Sequence, residues 1–194
     1  MTVMHASLLQ AIQAYRETHA VTGLFAQCLA RLEDKGFSLL RDPDASAPDV
    51  RHGASALIVH CIASALDDHR ISPTEMDSIS ALKRIYAIEE GDLLALQKAA
   101  IHDLLSQEMQ RILADEQVDR AEALLQSDLQ RALDLGYDDY LRLTRSSLRP
   151  VVERLLAAAR ESTPGQQRRI LRKLQKLETV LRIDPSTLTA IWTN

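Results

Sequence analysis

Shifting the chain by 47 positions lays Asp115-Glu116-Gln117-Val118-Asp119-Arg120-Ala121-Glu122 over Asp68-His69-Arg70-Ile71-Ser72-Pro73-Thr74-Glu75. Without a gap, residues 65–96 and 112–143 then coincide at Leu66/Leu113, Asp68/Asp115, Glu75/Glu122, Ser80/Ser127, Leu82/Leu129, Arg84/Arg131, Asp92/Asp139, Leu94/Leu141 and Leu96/Leu143. Ile71/Val118 and Ile88/Leu135 are conservative matches. An internal period of this length confines a chain to bundled or stacked supersecondary units, because one unit cannot cover its own apolar face. The units are helical: Ala, Leu, Gln, Glu and Arg dominate, aromatics are 4% of the residues, and Val-Ile-Thr runs of strand length are missing.

Taken in order, Leu8, Leu9, Ile12 and Tyr15 recur at helical spacing over residues 4–19, and Leu24, Cys28, Leu29 and Leu32 repeat the pattern from Val21 to Lys35. Thr22-Gly23 marks a kink or a turn between them, and Gly36 supplies a C-cap. Arg41 to Asp49, with two prolines among small and acidic residues, reads as an exposed linker loop. It divides an N-terminal helical segment, 1–40, from a repeated body, 50–194, with units at 57–103 and 104–150 and a degenerate unit at 151–194. In the body, Leu57, Ile58, Cys61, Ile62 and Leu66 form one stripe. Ser72-Pro73-Thr74-Glu75 is a capping box: Ser72 is the N-cap, Pro73 takes the first helical position, and Glu75 reaches back. That helix turns Ile79, Leu82 and Ile85 inward and ends near Tyr86. Glu89-Glu90-Gly91-Asp92 starts a long third helix, acidic residues at its N-terminus complementing the dipole. Asp119 and Glu122 reproduce the box in the second copy, and Thr163-Pro164-Gly165-Gln166 is a third variant. Asp184-Pro185 opens a short final helix.

A helix, a loop reading Asp-x-x-Ile/Val, an N-cap and a Glu before a second helix resembles the pattern of TerB-like domains. These form the all-helical family of the tellurite-resistance protein TerB and of the N-terminal region of DjlA-type membrane co-chaperones. The family loop reads Asp-Gly-x-Ile-x-x-x-Glu; Asp68, Ile71 and Glu75 match it in one copy, Asp115, Val118 and Glu122 in the other. The glycine position departs, being His69 and Glu116. The resemblance covers about residues 55–145 and implies an all-helical fold, a link to stress responses and membrane-associated complexes, and divalent-metal binding at the loop acids. Coordination chemistry argues against a calcium site of EF-hand type. With Glu75 at the twelfth loop position, Ser64, Leu66 and Asp68 fall at the first, third and fifth, and His69 where glycine is needed; Arg111, Leu113 and Asp115 are worse. Glu75 and Glu122 are then capping residues worth on the order of 1 kcal/mol each.

Other chemistry is sparse in the sequence. The six histidines form no HExxH pair, and His102, Asp103 and Glu108 fit an exposed helix better than a zinc site. No G-x-S-x-G, Walker loop or G-x-G-x-x-G occurs. The pairs Asp67/Asp68, Glu89/Glu90 and Asp138/Asp139 sit at helix ends, where solvation and the dipole account for them. Arg84 with Asp92, and Arg131 with Asp139, suggest an ion pair repeated within each unit. Cys28 and Cys61 have no CxxC spacing and read as buried free thiols of a reducing compartment. Met1 to Arg16 lacks a leader pattern, and no run approaches the ~18 apolar residues of a membrane helix. A net charge of −4 argues against nucleic acid as a partner. One local exception is the helix over 164–182. At 100° per residue Arg168, Arg169, Arg172, Lys173 and Lys176 fall within about 140°, opposite Ile170, Leu174, Leu177 and Leu181.

The expectation is an all-α protein: a compact bundle of about eight helices built on tandem TerB-like units, or alternatively a short α-solenoid. Its expected role is that of a non-enzymatic cytoplasmic interaction or scaffold protein, without a cofactor, acting on a protein partner. Two alternatives stand beside it. One is divalent-metal binding through Asp68, Glu75, Asp115 and Glu122; the other is peripheral attachment to an anionic partner or membrane surface through the 164–182 helix.

Overall fold

A computed structural model describes residues 4–67, 70–114 and 120–180. They are all-helical: α1 (Ala6–Thr18), α2 (Gly23–Lys35) followed by a 3-10 turn at Gly36–Ser38, α3 (Pro48–Ala65), α4 (Pro73–Ile85), α5 (Asp92–Ala114), α6 (Arg120–Leu133), α7 (Tyr137–Arg160) and α8 (Pro164–Val180). No strand occurs among the described residues. The short helix expected after Asp184-Pro185 lies outside them.

These residues fall into two compact units. One takes the described residues within Met1–Ile101 and Asp128–Leu135, the other those within His102–Ser127 and Gly136–Asn194. In the first, α3 is the central element and packs against α1, α2 and α4. It is buried around most of its circumference, through Val50, Ala54, Leu57, Ile58, Cys61, Ile62 and Ala65. Such a helix needs an apolar residue on nearly every face, which its sequence supplies. Its one glycine, Gly53, lies against the ring of Phe25: a Cβ built there would stand 2.5 Å from Phe25 Cδ1. Around this contact Tyr15, Phe25 and Tyr86 stack edge to face, with ring centroids 6.5 and 6.1 Å apart along the series. In the second unit α8 packs on α7, and Tyr140, Leu143, Val152, Ala159 and Leu174 are buried.

The local signals behave as their chemistry dictates. Ser72 Oγ accepts from the Glu75 N–H at 3.3 Å while Glu75 Oε2 accepts from the Ser72 N–H at 2.9 Å, a reciprocal box at the start of α4. Gln166 Oε1 likewise accepts from the Thr163 N–H at 3.1 Å before α8. Gly36 caps α2 with φ 53, its N–H donating to Leu32 O. Thr22-Gly23 is a turn between two helices, not a kink within one. The helix expected to run straight on from Asp92 is broken at Gln97 (φ −129, ψ 31). There the Gln97 amide donates to His52 O at 3.2 Å and Ser55 Oγ at 2.9 Å on α3, bonds that hold the kinked residue against its neighbour.

The ends of α4 and α6 share one geometry. Ala87 and Asp134, 47 positions apart, both have positive φ, 50 and 51. In each case the following N–H bonds back across the turn, Ile88 to Lys83 O and Leu135 to Gln130 O, both at 2.9 Å. This is the six-to-one bond of a Schellman motif. Burial matches as well: Leu82, Ile85, Tyr86 and Ile88 are core, and so are Leu129, Ala132, Leu133 and Leu135. Lys83 Nζ reaches Asp134 Oδ2 at 2.6 Å, joining the two ends directly.

Candidate functional site

The loop after α2 is not the exposed linker that its composition suggests. Asp42 and Ala45 are each 1% exposed. An aspartate is buried only when its oxygens find partners, and here the partners are specific. On α2, Cys28 and Arg31 stand three residues apart and so share a face. Arg31 Nε donates to Asp42 Oδ2 at 2.9 Å and Nη2 to Asp42 Oδ1 at 2.7 Å, a two-pronged grip. The same Nη2 lies 2.6 Å from Asp44 Oδ2 and 3.1 Å from Cys28 Sγ. Asp42 Oδ1 also accepts the Asp44 N–H at 2.9 Å, and the Asp42 N–H donates to Ile85 O at 2.8 Å, fastening the loop to the end of α4.

Charge follows from this geometry. Burial alone would push the Asp42 carboxyl up, but the Arg31 guanidinium, the Asp44 N–H and the Cys28 thiol outweigh it and hold the group below its ordinary range. Burial, reinforced by hydrogen bonding to Asp42, pushes the Cys28 thiol up to about 12. The Tyr86 hydroxyl is raised too, first by burial and then by the charges of Cys28 and Asp42. That hydroxyl is fully buried and makes no hydrogen bond among the described residues. On the outer side Asp44 and Arg31 are 37% and 28% exposed, so the cluster opens to solvent there. Nothing in the spacing of Cys28, Arg31, Asp42 and Asp44 announces it; Asp-x-Asp beside a proline also describes an ordinary solvated turn.

The residues singled out from sequence are placed as follows. Glu75 is half-buried and its Oε2 is engaged by Ser72 N–H and Oγ, at 2.9 and 2.8 Å. Asp68 and Asp115 lie outside the described residues, and of Glu122 only the backbone, within α6, is described. Arg168, Arg169 and Arg172 are exposed on α8 and enter no ion pair or hydrogen bond among the described residues, while Leu174 of the same helix is 2% exposed. The side chains of Lys173 and Lys176 lie outside the described set. The ion pair expected between Arg84 and Asp92 is not formed. Asp92 pairs instead with Arg51 at 2.5 Å and Asp139 with Arg142 at 2.6 Å, while Arg84 and Arg131 are exposed. His102 stands 3.6 Å from Asp103, but Glu108 is buried and engages Arg111 at 2.8 Å. Cys28 and Cys61 are buried and free. Among the described residues no helix is long and apolar enough to cross a membrane.

Set against known proteins, the chain matches no family model, no curated protein and no solved structure.

Proposed function

We propose that the chain is a non-enzymatic helical interaction protein that docks an acidic protein partner through the basic face of α8. The observation that carries this reading is the trio Arg168, Arg169 and Arg172, exposed on one helix and without a carboxylate partner among the described residues. Several arginines of the first unit are matched within the chain, Arg16 with Glu33, Arg31 with Asp42 and Arg51 with Asp92, whereas α8 gathers three on one helix that are unmatched among the described residues. A guanidinium fork left open is suited to carboxylates on another surface. An acidic protein is favoured over a lipid headgroup because, among the described residues, the only large apolar side chain exposed beside the trio is Leu171, at 42%. Stable membrane attachment takes a charge cluster together with substantial apolar insertion or a lipid anchor.

The body presenting α8 is read as tandem TerB-like units in a compact bundle, and a cytoplasmic, stress-linked role follows from that resemblance. The matched Schellman ends at Ala87 and Asp134 support the tandem reading, because caps are not reproduced by helical periodicity alone. Two free, buried thiols accord with a reducing compartment. For the metal alternative, Glu75 gives no support, its Oε2 being engaged in the cap.

The test is fluorescence anisotropy of a labelled glutamate-rich peptide against the full chain and an Arg168→Glu, Arg169→Glu, Arg172→Glu variant, with sedimentation of phosphatidylserine vesicles as a second arm. The expected result is salt-sensitive peptide binding abolished by the reversal. Equal peptide binding by both proteins, or vesicle binding in the absence of peptide binding, would overturn it.

A further inference from the structure

Three potential metal ligands converge on one nitrogen atom. Arg31 Nη2 has two protons to give, yet it faces Asp44 Oδ2 at 2.6 Å, Asp42 Oδ1 at 2.7 Å and Cys28 Sγ at 3.1 Å. A guanidinium NH2 is planar, whereas a spherical cation suits donors arriving from several directions. The three donor atoms lie within 4.8 Å of one another. Tetrahedral zinc, with bonds of about 2.0 to 2.3 Å, spaces its ligands roughly 3.3 to 3.8 Å apart, so a contraction on the order of 1 Å closes the set. A second observation points the same way: the Tyr86 hydroxyl is fully buried without a hydrogen-bond partner among the described residues, and, after burial itself, the charges acting on it are those of Cys28, Asp42, Arg31 and Glu33. A buried phenol with nothing to bond in the guanidinium-filled arrangement leaves the pocket one polar contact short.

We infer that the position held by Arg31 Nη2 is a site for a thiophilic divalent cation, zinc or cobalt, bound by Cys28 Sγ, Asp42 and Asp44 when the guanidinium swings out to solvent. Carboxylate and thiolate together select such an ion over calcium or magnesium, which take oxygen ligands. Arg31 is the side chain able to leave, being partly exposed, while Asp42 is fixed through its backbone to Ile85. On binding, the Cys28 thiol releases its proton to solvent, and the two carboxylates and the thiolate leave the ion with one net negative charge. The site is independent of the α8 surface and stands or falls apart from it.

Cobalt(II) titration of the full, chelator-treated chain reads the site directly, through the near-ultraviolet thiolate-to-metal charge-transfer band. The expected band appears in wild type and in Cys61→Ser, and vanishes in Cys28→Ser. Arg31→Ala, which removes the competing cation, tightens cobalt and zinc binding by at least about tenfold, on the scale by which neighbouring groups tune metal sites. Because that change is a gain, it stays informative even where Cys28→Ser impairs folding, which circular dichroism reports. Absence of a band, a band that follows Cys61, or an affinity unmoved by Arg31→Ala would each overturn the assignment and leave an ion-paired structural cluster.

Discussion

Replacing Gly53 by alanine sets two ordinary effects against each other with opposite sign. A glycine in a helix interior costs roughly 0.5 to 1 kcal/mol relative to alanine, so propensity alone makes Gly53→Ala stabilising. Packing says the reverse. The new methyl would stand 2.5, 2.7 and 2.9 Å from Phe25 Cδ1, Cγ and Cε1, against the 3.5 to 4.0 Å at which carbon atoms settle. The ring must therefore retreat by about 1 Å. It is 6% exposed and bounded by Tyr15 and Tyr86, so it has little space to retreat into. Over-packing of this kind costs about 1 to 3 kcal/mol; with the ring enclosed the cost falls toward the upper end, and after the propensity gain a net loss of up to about 2.5 kcal/mol remains. Urea unfolding followed at 222 nm measures it, and thermal melts should fall by ~2 to 4 °C per kcal/mol for a chain of this size. The cause is isolated by repeating the substitution in a Phe25→Ala background. There propensity acts unopposed and Gly53→Ala should stabilise, a coupling equal to the steric cost of about 1 to 3 kcal/mol. Wild-type stability in Gly53→Ala, or the same loss with and without the Phe25 ring, would refute the steric account.

Three further outcomes follow from features of the fold. Ala87→Gly should stabilise by ~0.5 to 1 kcal/mol, because glycine tolerates φ 50, whereas Asp134→Gly relieves a similar φ but loses the Lys83 pair and should not stabilise; urea midpoints that move together would contradict this. Ser72→Ala should cost ~1 kcal/mol and speed exchange of the Glu75 amide, and unchanged exchange would mean that the box does not hold the end of α4. Burial, followed by the nearby His19, holds His60 below its ordinary 6.5. A base depressed in the folded state contributes stability that is present above about 6.5 and lost as pH falls through the folded value. Melting temperature should therefore drop between pH 7.5 and roughly 5 more steeply in wild type than in His60→Gln, and parallel slopes would count against the assignment.

What could be read in advance was what neighbours in sequence decide. The box at Ser72 spans three residues, Gly36 closes its own helix, and Leu82 and Ile85 declare an inward face at helical spacing. What escaped depended on distant partners. Asp42 looks like a loop residue until Arg31, 11 positions away, and the carbonyl of Ile85 are brought to it. Leu9 continues an apolar stripe yet is 44% exposed, so the stripe overstates the buried face of α1. Asp92 pairs with Arg51, 41 positions earlier on α3, and not with Arg84 on the preceding helix. The exposure of Arg168, Arg169 and Arg172 on α8 was legible from angle alone, whereas the convergence of Cys28, Asp42 and Asp44 on one nitrogen was not.

The return of residues 128–135 to the first unit bears on how the molecule is made. As the chain emerges from a ribosome at ~5 to 20 residues per second, α1 to α4 are complete well before Leu129, Leu133, Leu135 and the carboxylate for Lys83 exist. For several seconds Lys83 at the end of α4 lacks its carboxylate and the first unit lacks its last segment. A protein truncated after residue 101 would freeze that interval permanently, so any attempt to isolate the first unit has to carry the later segment with it.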